Sequence, residues 1–219
     1  MSDDKVSGHY FFTQPTIMTF PALFTPRKAR DRAGKETGDP RYEANFVFDP
    51  AGADWQAIKQ VAAKVAKARN PDVDLSTLGW PFKNGTVEAD KRKAKGKSDG
   101  EFARGKGILV AKTGEKYPPG LTVIENGQPV DLTDEALKAK FKSKFYSGVL
   151  VYAQVNLCWY DAVGNGKPGV TCRLNSVIST GKGDRIGGGM SGSELFAKYI
   201  GTVTTEDPTA GMASDEIPF

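Results

Sequence analysis

The chain has 219 residues, 39% hydrophobic and 26% charged, with 25 glycines, 13 prolines and two cysteines. That is long enough for one elaborated domain or two small ones, with a substantial core and no covalent staples. The glycine and proline content favours strands and loops over a helix bundle, no run of about 18 apolar residues could span a membrane, and Met1-Ser2-Asp3-Asp4-Lys5 lacks a secretory apolar segment.

The net charge of +4 is unevenly spread. Beyond Lys198 there is no basic side chain, only Glu206, Asp207, Asp215 and Glu216. Setting those four acids aside from the 26 leaves 22 against 30 basic residues, a net of +8 on the body. A basic body with an acidic tail fits a protein that binds a polyanion and carries its own competitor. A solvated surface with a solubilising tail has the same charge count.

In chain order, the single histidine, His9, falls in an N-terminal segment that reads as loose. Residues 16–24 read as a strand, with Pro21 placing it near an edge or bend. Residues 30–40 are polar and charged and predict a loop. Residues 41–48 alternate, with Tyr42, Ala44, Phe46 and Phe48 on one face and Arg41, Glu43 and Asn45 on the other. A helix is predicted over 54–69, where Trp55, Ile58, Val61, Ala62 and Val65 recur at helical spacing. Its lysines, Lys59, Lys64 and Lys67, read as a solvated face, and Asn70-Pro71 stops it.

Residues 80–105 are the least regular. Trp80-Pro81-Phe82 precedes the turn signal Asn84-Gly85, and the run Lys91-Arg92-Lys93-Ala94-Lys95-Gly96-Lys97 predicts a flexible basic loop. A strand follows over 106–113, then 121–125, closed by a tight turn at Asn126-Gly127. Asp131 or Thr133 is the predicted cap of a short helix reaching Lys140. The longest strand signal, 147–160, leads through a glycine-rich turn into 169–179. Residues 181–192 read as irregular, 194–200 as a helical turn, and 201 onward as unpacked. The domain division is thus 1–200 for the folded body and 201–219 for the tail.

Parity within the last hairpin separates two faces. Val149, Val151, Ala153, Val155, Leu157 and Trp159 form the apolar set, matched by Val170, Leu174 and Ile178. Cys172 falls with that set and Cys158 on the other face, so a disulfide between them is not expected. Opposite the apolar set lie Tyr152, Gln154, Asn156 and Tyr160, with Thr171, Arg173 and Asn175 on the partner strand. Rings, amides and an arginine on one surface suit a single-strand binder, since bases stack on rings and phosphates meet cations. The same face also reads as plain solvent-exposed sheet.

The basic run Lys91, Arg92, Lys93, Lys95 and Lys97, with Arg104, Lys106 and Lys112, could hold a nucleic-acid backbone. Trp80, Phe82, Phe102 and Tyr117 interleave with it. Each of those rings also reads as a core residue. Gly164-Asn165-Gly166-Lys167-Pro168-Gly169 matches a dinucleotide fingerprint only formally, because a strand rather than a helix follows. Asp72 and Asp74 lack supporting ligands, and no Cys/His cluster has zinc spacing. No enzymatic activity, cofactor or metal is therefore expected.

The pattern Tyr146-Ser147-Gly148, Val155-Asn156-Leu157, Tyr160-Asp161, Gly164-Asn165, Gly169-Val170 and Leu174-Asn175-Ser176-Val177 resembles the C-terminal hairpin of phage single-stranded DNA-binding proteins. Trp80-Pro81-Phe82-Lys83-Asn84-Gly85 and Ala111-Lys112 are also similar to that family, which is distantly like the phage T7 protein. The resemblance spans roughly residues 10–190. The tip Asp215-Glu216-Ile217-Pro218-Phe219 resembles the C-terminal tip of bacterial single-stranded DNA-binding proteins.

These resemblances imply a mainly β fold, an antiparallel five-stranded oligonucleotide/oligosaccharide-binding (OB) barrel with one or two helices and long basic loops. They imply sequence-independent binding of single-stranded DNA in phage replication, recombination and repair, in the cytoplasm of the bacterial host. The tail would compete with DNA and recruit replication and repair proteins through residues 215–219. The rival readings are a structural or assembly β-protein of a phage and a small nuclease, the latter needing a carboxylate cluster that the sequence does not show.

Overall fold

The two longest strands, β2 (Thr16–Arg30) and β3 (Glu36–Phe48), pair antiparallel, and apolar residues alternate along the second half of β3. Ala44, Phe46 and Phe48 are buried on the face their spacing predicts. The structure, a computed structural model, describes residues 7–30, 34–96, 100–162 and 166–187, all within the unit Met1–Gly187. The helical turn expected over 194–200 and the tail lie outside the described residues.

The loop expected over 30–40 is instead the far end of a long hairpin. Ala29 stands opposite Thr37 and Arg30 opposite Glu36. Both faces of these arms are exposed, so no apolar alternation announces them. Pro21 lies beyond Thr16 and Ile17, the residues through which β2 pairs with β8 (Leu150–Tyr160), so it falls where that side of the strand is open, as expected of a proline near an edge or bend. It follows Phe20, whose φ of 51° accompanies a bulge between Thr19 and Ala22.

Five strands wrap the core. β5 (Gly107–Gly114) pairs with β3, β8 with β2, and β9 (Gly169–Ser179) with β8, all antiparallel. Among the described residues β5 and β9 come alongside each other without a hydrogen-bonded ladder. The result is an OB-type barrel open along the β5–β9 seam. Phe12, Met18, Phe46, Ile58, Leu109, Leu157 and Leu174 fill its interior.

The N-terminal segment read as loose is a strand. β1 (Ser7–Phe11) adds to β8, with His9 opposite Asn156. β6 (Gly120–Glu125) runs parallel to β9 and turns at Asn126-Gly127 into β7 (Gln128–Asp131). Both turn residues have positive φ, 50° and 79°, as a two-residue hairpin requires.

The helix α1 (Ala53–Arg69) buries Trp55, Ile58, Ala62 and Val65 and leaves Lys59, Lys64 and Lys67 exposed. The first three residues of the predicted basic loop, 91–93, are instead the end of a second helix, α2 (Gly85–Lys93), which follows β4 (Phe82–Asn84) directly. Asn84 caps it, its side chain accepting from the amides of Thr86 at 2.9 Å and Val87 at 3.3 Å. Lys91, Arg92 and Lys93 occupy its last turn, where cations complement the helix dipole. The helix escaped notice because Gly85 and Ala89 are its only buried residues.

The third helix, α3 (Glu135–Phe141), is capped by Asp134, which accepts from Leu137 N at 2.8 Å. Neither Asp131 nor Thr133 caps it; Asp131 instead accepts from the Thr122 hydroxyl across the β6–β7 hairpin.

The β8–β9 pairing corrects one parity. Val155 faces Leu174 and Gln154 faces Ser176, so Asn175 is an extra, bulged residue. Beyond it Val177 is buried, and Ile178 leaves the core face it was expected to share with Val170 and Leu174. Cys172 pairs with Leu157 inside and Cys158 with Thr171 outside, and no disulfide joins them.

Candidate nucleic-acid interface

The segment leading into β4 is stitched to the start of β9 at the open seam. Gly79 donates to Pro168 O and accepts from Val170 N, both at 2.9 Å. The two glycine backbones touch: a Cβ on Gly169 would lie 2.2 Å from Gly79 O. This stitch brings Trp80 beside Tyr160, at the end of β8. The Trp80 ring is held by its Nε1 donating to Leu75 O at 3.0 Å, and Tyr160 is 39% exposed.

Trp80 and Tyr160 line a cleft of about 410 Å³ together with Arg41, Lys83 and Lys112. The cations come from three neighbouring strands, β3, β4 and β5. Arg41 belongs to the non-core set of β3, so the same period that buries Phe46 turns it outward. A second cleft of about 500 Å³ shares Arg41 and Lys112 and adds Phe20, Arg27 and Lys28 from β2. A smaller recess of about 150 Å³ shares Phe20 and Lys83 with these and holds Phe102 and Arg92. The Arg92 guanidinium lies 4.3 Å above the Phe20 ring.

The clefts are basic because their acids are few. Lys112 pairs with Glu43 at 3.3 Å and Lys83 with Glu88 at 3.9 Å. Among the described residues no carboxylate stands within ion-pair distance of Arg27, Lys28 or Arg41.

Of the residues singled out in the sequence, Trp80, Tyr160 and Lys112 meet in the main cleft and Arg92 in the recess. Lys91 pairs at 2.8 Å with Glu88, which lines the recess, and Lys106 pairs with Asp49 at 3.1 Å; neither lysine itself lines these cavities. Arg104 bonds Glu101 and Asp90, whose carboxylates push its pKa above the ordinary guanidinium value. Lys93 and Lys95 are exposed near the end of α2 and line none of the clefts. Lys97 lies outside the described residues. Phe82 is half-buried against the core, edge-on to Trp55 at 5.3 Å and stacked on Trp80 at 6.2 Å, and lines none of the three clefts.

Tyr152, Gln154, Asn156 and Arg173 form a separate patch on the outer face of β8 and β9. Tyr152 stacks on Phe11 with centroids 6.3 Å apart. Arg173 sits 6.0 Å from the Tyr117 ring, which is 66% exposed. Asn156 is buried, and its Oδ1 has no hydrogen-bond partner among the described residues.

Sequence reasoning passed over Arg27, Lys28, Arg41 and Lys83. Arg41 was legible as the outward member of an alternating strand. Arg27 and Lys28 were hidden by the absence of any strand signal in the hairpin arms.

The family described as Enterobacter phage Enc34, ssDNA-binding protein, matches residues 11–208. No curated protein matches the chain. Among solved structures, the fold is similar to the single-stranded DNA-binding protein from bacteriophage Enc34 in complex with ssDNA. That match has a TM-score of 0.56 and 18% identity and covers 86% of this chain and 97% of that one. A second structure of the Enc34 protein matches with a TM-score of 0.54 and 16% identity, over 90% of this chain and 97% of its own. The single-stranded DNA-binding protein encoded by bacteriophage T7 aligns with a TM-score of 0.43 and 12% identity, over 87% of this chain and 94% of its own.

Proposed function

The chain belongs to the Enc34 family of phage single-stranded DNA-binding proteins, and from that membership we propose that it binds single-stranded DNA without regard to sequence, through the cleft beside the β5–β9 seam. The observation that carries this reading is the meeting of Trp80 and Tyr160 with Arg41, Lys83 and Lys112 in one cleft. OB barrels use the face of their second and third strands, with the loops after strands one and four, for oligonucleotides. Here those strands are β3 and β5, which carry Arg41 and Lys112. The β2–β3 hairpin and the β8–β9 turn are the corresponding loops, and Tyr160 stands where β8 enters its turn.

The chemistry is binding rather than catalysis. Rings stack on bases whatever their identity, contributing ~1–3 kcal/mol per base, and the cations neutralise phosphates. The outer patch of Tyr152, Gln154, Asn156, Arg173 and Tyr117, and the cations of α2, are secondary contacts in this reading. The acidic tail, with no basic residue after Lys198, is complementary in sign to the cleft. In the proposal it competes with DNA and, when displaced, offers Ile217-Pro218-Phe219 to replication, recombination and repair proteins in the host cytoplasm.

A fluorescence titration of the full chain tests the first part. A single-stranded oligonucleotide should quench tryptophan emission strongly and in a salt-dependent way, and duplex DNA of the same length should not. Equal response to both forms would overturn the reading. Removal of 206–219 should tighten low-salt binding; unchanged affinity would remove the competitor role.

A further inference from the structure

We infer that the path of the nucleic acid extends past the base of the β2–β3 hairpin into a second basic and aromatic groove, formed by Arg27, Lys142 and Arg185 with Phe24 and Tyr146. This rests on the single-strand-binding reading and extends it to a site outside the barrel face.

The groove measures about 380 Å³, and among the described residues no carboxylate lines it. It is continuous with the cleft system: Arg27 and Ala22 line both this groove and the neighbouring cleft that holds Arg41 and Lys112. Arg27 therefore stands at the junction.

Its rings and cations are already arranged in pairs. The Arg185 guanidinium lies 4.4 Å from the centroid of Tyr146, and the Lys142 ammonium 5.9 Å from that of Phe24. Among the described residues none of Arg27, Lys142 and Arg185 has a carboxylate partner. Cations over ring faces, without counter-charges, match a ligand that carries both flat bases and phosphates.

The groove is also held in shape. The Tyr146 hydroxyl donates to Gly183 O at 2.7 Å, and Ile186 N donates to Ser147 O at 2.8 Å. These bonds tie the segment after β9 against the entry to β8. Phe24 packs edge-on to the buried Phe145 at 5.5 Å, anchoring the floor.

The test compares two lengths of oligothymidylate, about 5 and about 16 nucleotides, spanning the range of OB-fold sites. Full-length wild type and a Lys142→Ala/Arg185→Ala double variant are titrated with each across a salt series. The variant should bind the longer strand ~10-fold more weakly at low salt, with a salt slope shallower by ~1.4, two phosphates at ~0.7 each. It should bind the shorter strand like wild type. The charge-keeping Lys142→Arg/Arg185→Lys variant should retain the wild-type slope with the longer strand.

Equal loss for both lengths, or no loss for either, would overturn the second groove. So would tighter binding by the alanine variant, since the groove would then seat an acidic competitor instead of the strand. Failure of wild type to bind either oligonucleotide would defeat the underlying reading itself, a distinct result.

Discussion

Arg27 and Arg41 stand directly opposite each other in the register of β2 and β3, and both line the same cleft. Like charges at opposed positions destabilise a sheet, and neither has a carboxylate partner among the described residues. A phosphate between them would relieve the repulsion. Arg41→Gln should therefore raise low-salt stability by up to ~0.5 kcal/mol. The same change should weaken single-strand binding and reduce the salt slope by ~0.7. Denaturant melts and salt-dependent titrations on one preparation check both; a loss in stability would contradict the relationship.

Glu43 and Lys112 face each other across β3 and β5, and their 3.3 Å ion pair lies in the cleft system. A phosphate reaching Lys112 must displace Glu43. Glu43→Gln should tighten binding several-fold, within the ~0–1 kcal/mol of an exposed pair, with a steeper salt slope. Weaker binding would mean that Glu43 itself contacts the ligand.

Two rings of one tripeptide should behave in opposite ways. Phe82→Ala opens a gap beside Trp55 and should lower stability by up to ~3 kcal/mol, affecting binding only through folding. Tyr160→Ala should leave the melting midpoint nearly unchanged and cost ~1–3 kcal/mol in binding. Trp80→Ala should cost binding as well and remove most of the quenching signal. An intact quench in that variant would place the stacking ring elsewhere.

Gly169→Ala forces a methyl group onto the Gly79 backbone. Backbone cannot move aside like a side-chain tip, so the stitch at the seam must open. Stability should fall by ~1–3 kcal/mol, and Trp80 should lose its place beside Tyr160. Crystallography or tryptophan emission of the variant reads this displacement directly.

Asp54 gives the fold an acid sensitivity. Burial pushes its carboxyl up, but bonds from the Thr13 and Tyr10 hydroxyls and the Gln14 and Thr13 amides outweigh that, so its pKa lies below 3.8. Tyr10 is pushed up to about 12, by burial and then by Asp54, and stays a donor. A carboxyl depressed in the folded state contributes its stability above the unfolded value and loses it as pH falls through the folded one. Stability should therefore decline as pH drops below 3.8, and Asp54→Asn should flatten that part of the profile. Asp54→Ala, which strands several donors, should cost ~2–4 kcal/mol at neutral pH.

The core strands were readable because burial on one face imprints period two on a sequence. Phe46 and Val155 could be placed inside, and Arg41 outside, by counting alone. The hairpin arms and α2 were not readable, since neither buries enough to leave an apolar rhythm. Ile178 was misplaced because one bulged residue, Asn175, inverts every later position.

Family resemblance, the barrel and the split between basic body and acidic tail were thus present in the linear order of residues. Which cations form the binding surface was not. Lys91 and Lys112 look alike in sequence and each pairs with a glutamate, yet only Lys112, on a strand of the barrel, lines a cleft. Trp80 and Phe82 are two residues apart, but only Trp80 reaches the opening, because Gly79 meets Gly169 at the seam. Such choices depend on contacts between distant segments, where a backbone touching a backbone or an acid arriving beside a base sets what each side chain can do.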